Sequence, residues 1–313
     1  MFCILAFVVL SIMGLFSASH RELAKEAWQC VWLRVTFRPC TVGFKEKMKG
    51  RLVAALLRRS TLAAKILHQH FEALSWVIVI VTVISTGWAA RGVYNYYFYG
   101  SCNGLNASGF CVFDPTGANN ETSEIGGLST QCTATPKTER DLTLSPVPVK
   151  EFPTQNKDGK NQIVFIGCYS CDYTRKSYPL IQQLVKETGA QYTFVDFPVH
   201  SSAQYLGAYT QCVASLEPDK FWKWNDDMFA ASKTDVANPE FVQKLLTQAD
   251  IDPAKIVKCA NSKETKEVVD QHNKAIRSTG IYGPPTIFLN GRAYVGPKPY
   301  RVYRNAFRWF RLW

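Results

Sequence analysis

The 313-residue sequence predicts an α/β domain set behind a helical, membrane-directed N-terminal region. Three observations lead there. Residues 73–90 form a run of 18 residues without a charge, just long enough to cross the hydrocarbon of a bilayer. The apolar run Ile163-Val-Phe-Ile-Gly167 ends at Cys168-Tyr-Ser-Cys171, and a helical pattern follows from Asp172 to Glu187. Near the C-terminus, Gly283-Pro-Pro-Thr-Ile-Phe-Leu-Asn-Gly291 and Arg292-Ala-Tyr-Val-Gly296 read as a turn, a strand, an Asn-Gly hairpin and a second strand.

The elements are justified in chain order. Residues 1–100 read as a membrane region. Met1–Ala18 is a first apolar run. No Lys or Arg precedes it, which disfavours a cleaved leader ending near Ser17-Ala18-Ser19 and favours a retained span over about 2–18. Residues 19–72 carry 11 lysines and arginines against four acids, an excess that makes up most of the net charge of +11. Basic loops stay in the cytoplasm, so 19–72 is expected inside, with both chain ends and the C-terminal domain outside. Such a loop between two spans is explained by topology and by contact with anionic lipid, so nucleic acid is not expected as a partner. The second span, 73–90, is flanked by the aromatic cluster Val93-Tyr-Asn-Tyr-Tyr-Phe-Tyr99, of the kind that sits at lipid headgroups.

Seven of the ten cysteines lie beyond the second span, where an oxidising compartment permits disulfides. Cys3 is expected as a small hydrophobe in the first run, and Cys30 and Cys40 as reduced thiols in the loop. The triplets Asn106-Ala-Ser and Asn120-Glu-Thr, which match glycan acceptors, also fall outside. Residues 101–147, rich in Gly, Asn, Ser, Thr and Pro, read as a cysteine-containing linker with little order of its own. Within it Cys102, Cys111 and Cys132 leave two options open: closure of Cys102 on Cys111, or pairing of one of these with Cys132.

The domain proper is expected over 148–313. It has a strand at 162–167, a helix at 171–188 kinked at Pro179, and a strand from Gln191 to Phe197. Helical patterns follow at about 201–231, 238–248 and 253–279. Strands at 286–290 and 293–296 and a last helix from Tyr300 to Phe310 complete it. The last helix carries Arg301, Arg304, Arg308 and Arg311 beside Phe307, Trp309 and Phe310, a closing amphipathic helix with a membrane-surface contact as the alternative.

Two thiols three residues apart at a strand-to-helix junction suit redox chemistry. Free N–H groups and the dipole at the helix N-terminus favour the thiolate of Cys168, and Cys171 stands near enough to attack a mixed disulfide on it. A Cys-x-x-Cys is also half of many zinc sites, but no second Cys-x-x-Cys or Cys-x-x-His follows, so no metal is expected. The pair opening a helix, with Pro285-Thr286 starting a strand far downstream, resembles the thioredoxin-like fold. The stretch Gln211-Cys-Val-Ala-Ser-Leu-Glu-Pro-Asp-Lys-Phe-Trp-Lys-Trp-Asn-Asp-Asp-Met-Phe229 resembles the helical insertion of the DsbA-like thiol:disulfide oxidoreductases. The resemblance covers roughly 148–311. This chain has Pro284 where that family usually has Thr or Val, and Gln162 where relatives often carry a buried acid.

The resemblance implies a membrane-anchored protein thiol:disulfide oxidoreductase catalysing disulfide formation or exchange in extracytoplasmic proteins. Cys168 would attack and Cys171 would resolve. Tyr169, Ser170, Pro285 and Thr286 would line the substrate site, and Cys212 and Cys259, the remaining cysteines of the domain, would form a structural disulfide. No organic cofactor is implied, since the electrons travel through the dithiol. The implied partners are thiol or disulfide proteins, a membrane protein that recycles the pair, and the bilayer. Two other readings compete: a Cu(I)-handling metallochaperone, which soft thiolates suit although no Met cluster or nearby His supports it, and a non-catalytic assembly module, against which the intact Cys-x-x-Cys weighs. His200, at the end of the second strand, is read as a packing or capping residue before a proton shuttle. His68 and His70 point to different helix faces and are not expected to bind metal. Phe221, Trp222, Trp224 and Phe229 follow helical spacing and are expected in the insertion core, with a substrate-contacting rim as the alternative.

Overall fold

The computed structural model describes residues 18–36, 49–50, 53–54, 56–58, 60–107, 109–123 and 142–307. The expected first span falls almost wholly outside them, as do Cys40, Cys132 and the end of the expected last helix. The chain divides into two compact units at Ala90/Arg91.

In the first unit, α1 spans Ala18–Val35 and α2 spans Thr61–Gln69, whose start is capped by the Ser60 hydroxyl on the Ala63 N–H. Helix α3, Phe71–Tyr99, runs across the unit boundary. Its stretch Trp76–Tyr99, 24 residues, is long and apolar enough to cross a membrane, and no other described helix is. At 1.5 Å per residue it reaches about 36 Å, against roughly 30 Å of hydrocarbon. Trp76, Ile80, Val83 and Ile84 are exposed, while Val79 is buried.

The second unit holds a five-stranded sheet in the order β1-β3-β2-β4-β5. The strands are β1 Thr154–Gln155, β2 Gln162–Gly167, β3 Gln191–Asp196, β4 Thr286–Leu289 and β5 Arg292–Val295. β2 and β3 are parallel, joined through α4, Asp172–Thr188; the other pairs are antiparallel. The β4–β5 turn is Asn290-Gly291, both at positive φ, as the Asn-Gly pair predicts. Between β3 and β4 lie α5 Tyr205–Leu216, α6 Phe221–Ala230, α7 Pro239–Gln248, α8 Pro253–Ala260 and α9 Lys263–Ser278; α10, Tyr300–Ala306, follows the sheet.

Strand alternation builds two cores. Ile163, Phe165, Tyr192, Phe194, Ile287 and Leu289 face one side, under α4 and the helical insertion. Val164, Ile166, Val195 and Phe288 face the other, with Val147, Phe152, Ile276, Cys168 and Cys171. Nearly all are fully buried, each worth about 1.5–3 kcal/mol against exposure.

The element order matches expectation, with four corrections. The helical stretch 201–231 breaks at Glu217–Lys220, and 253–279 breaks at Asn261, where Ser262 caps α9 on the Thr265 N–H. Pro179 stands inside α4, where the ladder loses the bond that a proline cannot donate. The domain starts before 148, since Leu142 and Leu144 pack on the second core.

The fourth correction concerns the linker. Residues 101–107 and 109–123 are not loose; they lie folded on the β5 edge. Cys102 and Cys111 are disulfide-bonded. The Asn106 amide donates to the Ala293 carbonyl at 2.9 Å and its oxygen accepts from the Val295 N–H at 2.8 Å, standing in for a sixth strand. Asn120 is buried, donating to the Ala107 carbonyl and accepting from Lys298. Both asparagines are thus engaged through their side chains.

Candidate active site

The site lies at the C-terminal ends of β2 and β3, the end of a parallel pair where chemistry is usually placed. Cys168 is the residue after β2, and Cys171 is the N-cap of α4 in extended conformation, its N–H donating to the Cys168 carbonyl at 3.2 Å. Cys168 thus precedes the helix, and Cys171 stands at its N-cap position. Gly167 is a close approach; a Cβ there would meet Thr174 Cγ2 at 2.9 Å and Phe194 at 3.0 Å, so the strand-to-helix junction admits no side chain at that position.

Both thiols are free and fully buried. Burial alone would raise the Cys168 pKa. The Cys171 thiol, the Ser170 hydroxyl at 3.2 Å and the Val199 and Ser170 backbone outweigh it, and bring Cys168 down to about 7. For Cys171 burial dominates and pushes the thiol up, the hydrogen bond and charge of Cys168 add to it, and the Ser123 hydroxyl opposes. The two cysteines are therefore unequal: one poised as thiolate, the other as thiol.

The expected substrate-lining residues separate into two groups. Ser170 touches the Cys168 sulfur. β2 and β4 pair Ile166 with Thr286, so one more step of the register sets Pro285 beside Gly167, next to Cys168. The Pro284–Pro285 peptide is cis. Thr286 is buried, and its hydroxyl donates to the Gly283 carbonyl at 2.8 Å, so it braces the loop. Tyr169 is a correction: it is fully buried among Phe194, Trp224 and Phe229, and its hydroxyl donates to Asn225 Oδ1 at 2.7 Å. Its bulk is apolar, so the core takes it, and it presents no surface to a substrate.

Cys212 and Cys259 are disulfide-bonded, tying α5 to α8. Phe221 and Trp224 are buried in the insertion core, with Trp222 and Phe229 packed against it. His200 is half-buried, and burial together with Lys233 lowers its pKa. No three His, Cys, Asp or Glu side chains gather into a metal site among the described residues. A cavity of about 460 Å³ between the β1 edge and α5–α6 contains neither cysteine.

Two residues at the site were not singled out from sequence. Asp196 ends β3 opposite Gly167 and is buried. Thr210 Oγ1 donates to its Oδ2 at 2.8 Å, while Oδ1 has no partner. Burial, then the negative charge of Cys168, hold its carboxyl well above the usual carboxylate range. Arg175, in the first turn of α4, donates to the Tyr169 carbonyl at 2.6 Å and to the Met228 and Phe229 carbonyls at 3.0 Å, and also to Ala231. It locks the cysteine loop to the end of α6, and its charge interacts with both Cys168 and Cys171.

The parallel β2-α4-β3 unit, the antiparallel β4-β5 hairpin, the Cys-x-x-Cys before α4 and the cis-proline loop beside it define a thioredoxin-fold dithiol domain. Consistent with this, residues 157–307 match the family model of Thioredoxin. The curated relative "Thiol:disulfide interchange protein DsbA" of Burkholderia cepacia is 23% identical over 188 residues, covering 58% of this chain and 83% of the relative. Among solved structures, oxidised BdbD of Bacillus subtilis aligns at 19% identity and a TM-score of 0.45, over 53% of this chain and 94% of BdbD. Chlamydia trachomatis DsbA aligns at 20% identity and a TM-score of 0.44, over 55% and 95%.

Proposed function

We propose that the chain is a DsbA-like protein thiol:disulfide oxidoreductase, anchored in a membrane with its dithiol domain on the extracytoplasmic side. The observation that carries the activity is the placement of two free thiols, Cys168 directly after β2 and Cys171 at the N-cap of α4, beside the cis Pro284–Pro285 loop; the lowered pKa of Cys168 and the raised one of Cys171 agree with it. In the oxidised enzyme a substrate thiolate attacks Cys168 Sγ. The Cys168–Cys171 bond breaks, a substrate–Cys168 disulfide forms, and Cys171 leaves and takes up a proton. A second substrate thiolate attacks the substrate sulfur, the new substrate disulfide forms, and Cys168 leaves as thiolate. A thiol with a low pKa is the better leaving group, which suits Cys168 to this exit. The reverse sequence is exchange or reduction by the same atoms. Asp196, at the end of β3 opposite Gly167, has its carboxyl held well above the usual carboxylate range by burial and then by the charge of Cys168, and it interacts electrostatically with both thiols.

The anchoring rests on the exposed apolar length of Trp76–Tyr99. The orientation rests on the basic residues of 19–72 and on the cysteines beyond the span. A membrane redox protein is the recycling partner in this reading, and extracytoplasmic thiol proteins are its substrates.

The test uses the full chain in detergent with reduced, unfolded ribonuclease in a glutathione buffer. The chain should accelerate recovery of ribonuclease activity, and Cys168→Ser should abolish the acceleration. Equal rates for wild type and Cys168→Ser would sink the proposal. For orientation, a membrane-impermeant thiol reagent on intact cells should leave Cys30 unlabelled; labelling there would invert the topology.

A further inference from the structure

The cysteine site already holds a stretch of polypeptide, and it is the chain's own. Beyond Asn120, residues Glu121–Ser123 run from the β5 edge across the proline loop. Glu121 passes over Gly296, where a Cβ would stand 2.6 Å from the Glu121 carbonyl oxygen. Thr122 and Ser123 are 0% and 3% exposed, although they belong to a stretch of polar composition outside the sheet. The Ser123 N–H donates to the Pro284 carbonyl at 2.7 Å. A Cβ on Gly283 would stand 1.8 Å from the Ser123 carbonyl oxygen, so only glycine lets the two backbones lie this close. The Ser123 hydroxyl reaches the Cys171 thiol.

Backbone-to-backbone bonding beside a shape-matched glycine is how a groove holds an extended chain irrespective of its side chains. Here that groove adjoins the dithiol and both thiols are shut off from solvent. The occupant is held from its N-terminal side: Asn120 accepts from buried Lys298, and Asn106 is bonded to β5 within the loop closed by Cys102–Cys111. We propose that Glu121–Ser123 is an intramolecular occupant of the groove through which an extended substrate chain reaches Cys168, and that a substrate displaces it before exchange. This inference rests on the function proposed above. It assigns the groove a backbone-reading, extended polypeptide as ligand and the chain's own segment as its resident competitor. The apparent affinity for substrate is then reduced by the fraction of molecules whose groove is filled.

Two measurements on the full chain in detergent test it. Ser123→Pro removes the N–H that Pro284 accepts. Alkylation of Cys168 by iodoacetamide in the reduced protein should then accelerate by about fivefold, the loss of one backbone hydrogen bond; an unchanged rate overturns the proposal. Should Ser123→Pro fail to fold, the second measurement stands alone. Cys171→Ser protein is reacted with a cysteine peptide activated as its thionitrobenzoate disulfide. Cys168 attacks the peptide sulfur, thionitrobenzoate leaves, and the peptide remains disulfide-linked. Hydrogen exchange at the Ser123 amide should be at least about tenfold faster in the linked protein than in the unlinked one, as expected for an amide released from its partner. A linked protein with Ser123 still protected overturns the occupant proposal while leaving the redox function intact. Failure to link through Cys168 at all overturns the redox function, and the occupant proposal with it.

Discussion

Replacing Ser170 by Ala removes the hydroxyl that lies 3.2 Å from Cys168 Sγ and leaves everything else at the site in place. In the thiolate form that hydroxyl must donate, and a hydrogen bond to a buried charge is worth about 1.5 kcal/mol at the low end. One pKa unit corresponds to about 1.36 kcal/mol, so the apparent pKa of Cys168 should rise by about one unit from its value of about 7. The sign of the stability change follows. Cys168 has a folded pKa below its unfolded value of 9.0, so it stabilises the reduced protein fully above that value, and the contribution is lost as pH falls through about 7. Ser170→Ala should therefore cost the reduced protein about 1.4 kcal/mol at pH above 9.0 and nothing well below 7. The same loss makes the couple more reducing by about 30 mV. Thiolate absorbance against pH gives the pKa, and urea unfolding of the reduced protein at the two pH extremes gives the stability. An unshifted pKa, or an equal stability loss at both extremes, would refute the reasoning, since the latter is what a simple packing defect produces.

Asp196→Asn should make the protein more stable near neutrality. The folded pKa of Asp196 is raised, so native stability declines as pH climbs through the usual carboxylate range, and Asn removes that slope in urea-midpoint measurements; a retained slope would point to another group. Arg175→Met leaves carbonyls at Tyr169, Met228, Phe229 and Ala231 without their donor. It should destabilise by about 2–4 kcal/mol in urea unfolding and raise the Cys168 pKa, whereas Arg175→Lys should keep more of the pKa than of the stability. Removing the Cys212–Cys259 bridge, which closes a separation of 47 residues, should lower stability by about 4 kcal/mol while the folded fraction keeps its exchange activity; unfolding and turnover measured on the same Cys212→Ser/Cys259→Ser protein decide it.

What the sequence made legible was local. The apolar run before Cys168, the Asn290-Gly291 turn and the Cys-x-x-Cys spacing each carry their structural meaning in a few adjacent residues. What it hid depends on register and on tertiary partners. Asp196 is one acid at a strand end until β3 is paired with β2, and only that pairing puts it opposite Gly167. Arg175 is an ordinary helix residue until α6 ends against it. β1 has two residues, too few to show a period of two. In residues 101–107 and 109–123, Asn, Gly and Ser lack the apolar periodicity that signals order, yet the side chains of Asn103, Asn106, Asn119 and Asn120 bond to backbone carbonyls and so supply order without a core. Ser123 is the sharpest instance, since nothing in Asn-Glu-Thr-Ser points to a proline loop about 160 residues away.

The most direct test of the central claim is a redox titration of the full chain in glutathione buffers, quenched by alkylation and read by peptide mapping. The account predicts one two-electron transition in which Cys168 and Cys171 pass together from two alkylated thiols to a single mutual disulfide, with a tenfold change in ratio for about 30 mV. A Cys168–Cys171 pair that stays reduced throughout, or whose members pair with other cysteines, would contradict it.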